Sequence, residues 1–150
     1  VKSWMWCVMK VKVSELEGRA LNWAVASVLY GQPSLVTDRG WGWTEKPNDV
    51  RILKNPNSEF RFDDFNPSGN WAHTGILIDE FRLTIRDLRH YREGKFLVSC
   101  EYTGEDDDYT VDAEPHKDAK IAICRAVCMT ENGKDEIEIP DELMENIHAK

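Results

Sequence analysis

Ser14-Glu15-Leu16-Glu17-Gly18-Arg19-Ala20-Leu21-Asn22-Trp23-Ala24-Val25-Ala26-Ser27-Val28-Leu29-Tyr30-Gly31 carries separate signals for the start, the interior and the end of one helix. Ser14, with Glu17 three residues on, has the form of a capping box, in which each side chain would satisfy a backbone N–H of the first turn. Leu16, Ala20, Leu21, Ala24, Val25, Val28 and Leu29 recur at helical spacing and predict an amphipathic helix of about four turns. Gly31 can take the left-handed conformation that closes a helix, and Pro33 prevents the helix from resuming.

Before this helix, Val11 and Val13 alternate with Lys10 and Lys12 and predict a short strand that feeds into the Ser14 cap. Residues 1–8 precede Met9, a natural point for the domain to begin, and read either as non-native sequence or as an extension of that strand through Trp4 and Trp6. After the helix, Pro33, Gly40, Gly42, Pro47 and Pro56 break residues 32–58 into an irregular connection that holds Trp41 and Trp43. Leu35-Val36 and Val50 to Leu53 are brief strand candidates within it. Phe60, Phe62 and Phe65, the turn Asn66-Pro67-Ser68-Gly69-Asn70 and the run from Trp71 to Ile78 predict strand, turn, strand.

Phe81, Leu83 and Ile85 alternate with Arg82, Thr84 and Arg86, and Phe96, Val98, Cys100 and Tyr102 alternate in the same way beyond Gly94. This predicts an antiparallel hairpin. Ile78, Phe81, Ile85 and Leu88 also fit a helical stripe, but the β-branched Thr84 and Ile85 favour a strand over 80–87. Gly104 to Asp108 reads as a solvated acidic tip. Pro115 fits the first position of a second helix through Ala119, Ile121, Ala122, Ile123, Ala126, Val127 and Met129, ending near Asn132-Gly133 and more buried than the first. Ile137 and Ile139 predict a last strand, and Pro140-Asp141-Glu142 opens a short helix from Leu143 to His148. The expectation is a single α+β domain over residues 1–150, a mainly antiparallel sheet with two principal helices packed on one face.

At 150 residues the chain can bury one sizeable core, and its six tryptophans and 41% apolar content oppose disorder. A net charge of -8 disfavours a broad basic surface for nucleic acid, and no apolar run reaches the roughly 18 residues of a membrane span. Cys7, Cys100, Cys124 and Cys128 sit in apolar or strand-like contexts and are expected to be reduced thiols of a cytoplasmic protein.

The block from Met9 through Ser14-Glu15-Leu16-Glu17-Gly18-Arg19 to Ala26 resembles a family of short proteins of unknown function encoded by lambda-like phages and prophages of enteric bacteria. Asn66-Pro67-Ser68 with Trp71 and Gly75 is similar to that family's middle motif, and Ala119 to Val127 with Asp135 to Leu143 is similar to its C-terminal block. Members commonly carry Gly-Pro where Gly75 is followed here by Ile76, and residues 81–95 are richer in arginine than the family pattern. The resemblance implies a phage accessory protein acting in the bacterial cytoplasm; it implies no catalytic residues.

Chemical motifs are sparse. Gly40-Trp41-Gly42-Trp43 lacks the third glycine, the lysine and the preceding strand of a phosphate loop, and Ser68-Gly69 lacks the flanking glycine of a nucleophile elbow, so no cofactor is expected. Cys124 and Cys128 lie four apart on one helical face and could share a metal with His116 or Cys100, but that spacing equally places both thiols in a core, the reading preferred here. His73, near Asp63, Asp64, Asp79 and Glu80, suits acid–base work, against a background of abundant carboxylates.

The most distinctive cluster is basic: Arg82, Arg86, Arg89, His90, Arg92 and Lys95 against only Asp87 and Glu93. Guanidinium groups fork onto phosphate or carboxylate, and Trp41, Trp43 and Trp71 could stack a ring. The alternative is an outer strand face kept soluble by charge. Arg82, Arg86, Arg89, Arg92, Trp41, Trp43, Trp71 and His73 are therefore the candidate ligand-binding residues. The leading expectation is a non-enzymatic protein that binds a host or phage macromolecule. A small-anion or nucleotide binder comes second, and a hydrolase built on His73 or a Cys/His metal site third.

Overall fold

The computed structural model describes residues 8–30, 34–36, 40–42, 65–90, 96–103, 108–140 and 143. In chain order the elements are β1 (Val8–Val11), a 3-10 turn (Val13–Glu15), α1 (Gly18–Tyr30), β2 (Ser34–Val36), β3 (Gly40–Gly42), α2 (Trp71–Glu80), β4 (Arg82–Asp87), β5 (Phe96–Thr103), β6 (Asp108–Asp112), α3 (Ala119–Met129) and β7 (Ile137–Pro140). The class is α+β, and among the described residues every strand pairing is antiparallel. The described strands form three sheets, β1-β7, β2-β3 and β4-β5-β6.

β1 and β7 bring the two ends of the described chain together, Val11 opposite Ile137 and Lys10 opposite Glu138. The Ser14 cap is replaced by a longer-range contact. The Ser14 amide donates to Asp135 Oδ1 at 2.9 Å and its hydroxyl donates to Oδ2 at 2.9 Å. A carboxylate that accepts both donors of one residue makes a stronger bond than a neutral hydroxyl gives to a helix amide. The chain therefore makes its 3-10 turn, burying Val13 and Leu16, and α1 begins only at Gly18. Gly18 has φ +62°, a conformation that a side chain would resist.

α1 is less amphipathic than its spacing suggests, since Ala20 through Ala26 are all buried. Ala122 through Cys128 of α3 form a buried run of the same length, so α3 is not the more enclosed of the two. α3 starts four residues after Pro115 because Asp118 caps it, its Oδ1 accepting from Lys120 N at 2.9 Å. Its end is closed by Gly133, φ +73°, whose amide donates to Met129 O at 2.8 Å. α3 is the hub: it packs on α1, on α2, and on β5 and β6, while α1 also rests on β7. Trp23, Phe65, Leu16, Leu21, Leu77, Ile123 and Ile139 are the largest fully buried side chains of the core.

The main departure from expectation is α2, which takes Trp71 to Glu80 where a strand is predicted. Asn70 caps it, its Oδ1 accepting from Ala72 N at 2.8 Å, and Thr74 and Leu77 are buried one turn apart. A helix over these ten residues satisfies the turn's donors and buries those two side chains together, which outweighs the β propensity of Ile76 and Ile78. The strand over 82–87 and its hairpin partner form as predicted, with Arg82 opposite Glu101, Ile85 opposite Val98 and Asp87 opposite Phe96. β6 extends that sheet without a sequence signal, and Trp41 lies in β3 rather than in irregular chain. The predicted strands at 50–53 and 60–62, residues 1–7, the tip at 104–107 and the terminal helix beyond 143 lie outside the described residues.

Candidate functional site

β4 is an exposed strand, and period-two alternation puts Arg82, Thr84 and Arg86 on one side of it and Leu83, Ile85 and Asp87 on the other. Leu83 is half-buried and packs against the core, so the arginine side is the outer one. Arg82 and Arg86 are both exposed. Arg89 is already engaged: its Nε donates to Asp87 Oδ1 at 2.8 Å and its Nη2 to Oδ2 at 2.6 Å, while its backbone N–H donates to Oδ1 at 3.0 Å. These bonds hold the Asp87 carboxyl at about 2, first through the guanidinium and then through the backbone donor. The same carboxylate raises Arg89 above its usual value. Arg92 and Lys95 lie outside the described residues.

Trp71 and His73 stand at the other end of α2. Arg82 comes just after Phe81, the residue that follows this ten-residue helix, which is about 15 Å long. Trp71 is 54% exposed, and Lys120 Nζ lies 5.0 Å from its ring centroid. Lys120 also pairs with Asp118 at 3.3 Å, so the first turns of α2 and α3 meet there. His73 is half-buried, its Nδ1 accepts from Asn66 N at 2.8 Å, and its ring stacks on Phe65 with centroids 5.6 Å apart. An imidazole nitrogen accepting a backbone N–H is fixing a turn. Trp41 is placed by its backbone, opposite Leu35 in the β2-β3 pair, and Trp43 lies outside the described residues.

That turn is held from α1. Asn22, buried in the middle of the helix, donates from Nδ2 to Asn66 Oδ1 at 2.9 Å and accepts at its own Oδ1 from Ser68 N at 3.0 Å. Thr74 Oγ1 donates to Pro67 O at 2.6 Å. Sequence analysis nominates none of Asn22, Asn66, Ser68 or Thr74. The available signal is a polar residue, Asn22, inside an otherwise apolar helical run, which predicts a buried hydrogen-bond partner.

Arg125 is also absent from the sequence candidates. It is buried in α3, and its Nε and Nη2 donate to Leu16 O at 3.0 and 2.7 Å. Burial lowers its pKa, opposed by the nearby carboxylates of Glu17, Asp135 and Glu114. It ties α3 to the chain entering α1. His116 accepts at Nδ1 from Asp118 N at 2.9 Å, and its pKa is lowered by burial and then by the charge of Arg125.

Cys124 and Cys128 are buried free thiols, and burial pushes both well above the usual thiol range. A thiol held protonated is a poor nucleophile and a poor metal ligand. Among the described residues no three His, Cys, Asp or Glu side chains gather as a metal site, and no helix is long and apolar enough to cross a membrane. A polar cleft of about 610 Å³ opens where β1, β7, α1 and the turn after α3 meet, with Lys10 and Lys134 facing Glu131, Glu136 and Glu138. It contains none of the sequence-nominated residues.

The family model described as Bacteriophage P22, NinX matches residues 12–130, and the chain belongs to that family. Comparison with curated proteins gives no match.

Proposed function

We propose that this NinX-family phage protein is a non-enzymatic binding protein of the bacterial cytoplasm, and that it recognises an acidic surface of a phage or host protein through β4. The observation that carries the reading is the pair Arg82 and Arg86, both exposed and four residues apart on the outer side of a strand whose backbone is fixed in a hairpin. Arg82 stands opposite Glu101 in the hairpin register, within a chain of net charge -8. Guanidinium groups at that spacing, about 13 Å along a strand, fit carboxylates on an extended or helical partner. Arg89 contributes structure, its fork being closed on Asp87.

The test is affinity capture from phage-infected host lysate with the wild type and with Arg82→Ala/Arg86→Ala in parallel. A partner retained by the wild type, lost from the double variant and eluted by moderate salt supports the reading, since exposed ion pairs are screened over about 10 Å at 0.1 M salt. Identical retention on both proteins refutes it.

A further inference from the structure

The outer face of α2 carries a second surface, independent of β4. Trp71 is 54% and Ile78 41% exposed, and they lie seven residues, or about two turns, apart on one line of the helix. Thr74 and Leu77, both fully buried, mark the inner side. Between Trp71 and Ile78 on the outer line sits Gly75, where an added Cβ would meet nothing within 4 Å. Glycine inside a helix costs about 1 kcal/mol relative to alanine, and no internal packing among the described residues asks for it here. The result is a hollow with an aromatic wall on one side and an aliphatic wall on the other.

We propose that α2 is the interface of a homodimer, crossing antiparallel to α2 of a second copy with the two Gly75 residues at the two-fold axis. The face is self-complementary in three respects. Trp71 and Asp79 are each four residues from Gly75, so an antiparallel partner sets Asp79 of the second copy opposite Trp71, with Ile78 one position further in, and lets the backbones approach closely at the glycines. Lys120, seated on the Trp71 ring, then faces the exposed Asp79 and Glu80 of the second copy, and the relation repeats at the other end. The helix dipoles oppose each other, positive N-terminus beside negative C-terminus. A single crossing of ten-residue helices is small against the roughly 1,200–2,000 Å² of a stable interface, so the dimer dissociates at micromolar concentrations.

Sedimentation equilibrium of the full chain from about 1 to about 500 µM, a range bracketing micromolar affinity, tests this. The wild type is expected to pass from monomer to dimer across that range. Gly75→Leu fills the hollow with a better helix former, so the variant should melt at the same or a higher temperature while its dissociation constant rises at least about tenfold, the loss of one good contact. Asp79→Lys should weaken the dimer, and adding Lys120→Glu should restore it. A wild type that stays monomeric throughout, or a folded Gly75→Leu that dimerises as the wild type does, overturns the proposal. Arg86→Ala tests β4 alone and should leave the dimer intact.

Discussion

Replacing Asn22 by alanine should loosen a turn 44 residues away. The side chain makes two bonds to the Asn66–Asn70 turn, one through each end of its amide, at 2.9 and 3.0 Å. Each is worth about 1 kcal/mol net, and the Ser68 amide left without its acceptor in a buried position adds about 1–2 kcal/mol. The expected loss is about 3 kcal/mol, or on the order of 10 °C in melting temperature for a chain of this size. Urea denaturation followed by tryptophan fluorescence measures the first quantity, and hydrogen exchange at the Ser68 amide locates it. A loss below about 0.5 kcal/mol with unchanged Ser68 protection would refute the assignment of Asn22 as the strut of this turn.

Acid should destabilise the fold through His116. Burial lowers its pKa from 6.5, so the unfolded chain binds the proton more readily; the stability it contributes is complete above pH 6.5 and is lost as pH falls toward the lower folded value. Melting curves at pH 7.5 and 5.5 should differ by less in His116→Asn, and an unaltered difference would count against the assignment. The Asp87 carboxyl should titrate near 2 by NMR and return toward the ordinary range near 3.8 in Arg89→Ala; a midpoint that does not move would sink the clamp. Cys124 and Cys128 should resist alkylation at pH 8 until the chain is unfolded, because their thiols are buried and held protonated. Peptide mapping by mass spectrometry reads this directly, and fast labelling of either thiol in the native protein would contradict it.

What the sequence reveals depends on how far apart in the chain the deciding partners lie. The β4-β5 hairpin is legible because alternation and β-branching are local properties of residues 82–87 and 96–103. The stop of α3 is legible for the same reason, Gly133 standing four residues past Met129. Ser14 is misread because the carboxylate that takes its hydroxyl is 121 residues away, and no local rule weighs Asp135 against a helix amide. α2 is misread on a closer contest: Ile76-Leu77-Ile78 has strand propensity, while the cap at Asn70 and the common burial of Thr74 and Leu77 favour a helix. Among the candidate residues, the outward side of Arg82 and Arg86 follows from alternation alone. The pairing of Trp71 with Lys120 requires α3 to be docked beside α2, which only tertiary structure supplies.

The two proposed surfaces share one mechanical support. Asn22 holds the Asn66–Asn70 turn, Asn70 starts α2, and the Phe81 amide, donating to Leu77 O at 3.0 Å, closes the helix one residue before Arg82. Only Phe81 separates α2 from β4, so the direction of the helix sets where the first arginine of the strand stands. A perturbation at Asn22 should therefore weaken self-association through α2 and partner capture through β4 together. Gly75→Leu should affect the first alone, and Arg82→Ala/Arg86→Ala the second alone. If Asn22→Ala remained folded and lost only one of the two, the turn would not be the common support, and the α2 and β4 surfaces would have to be held in place separately.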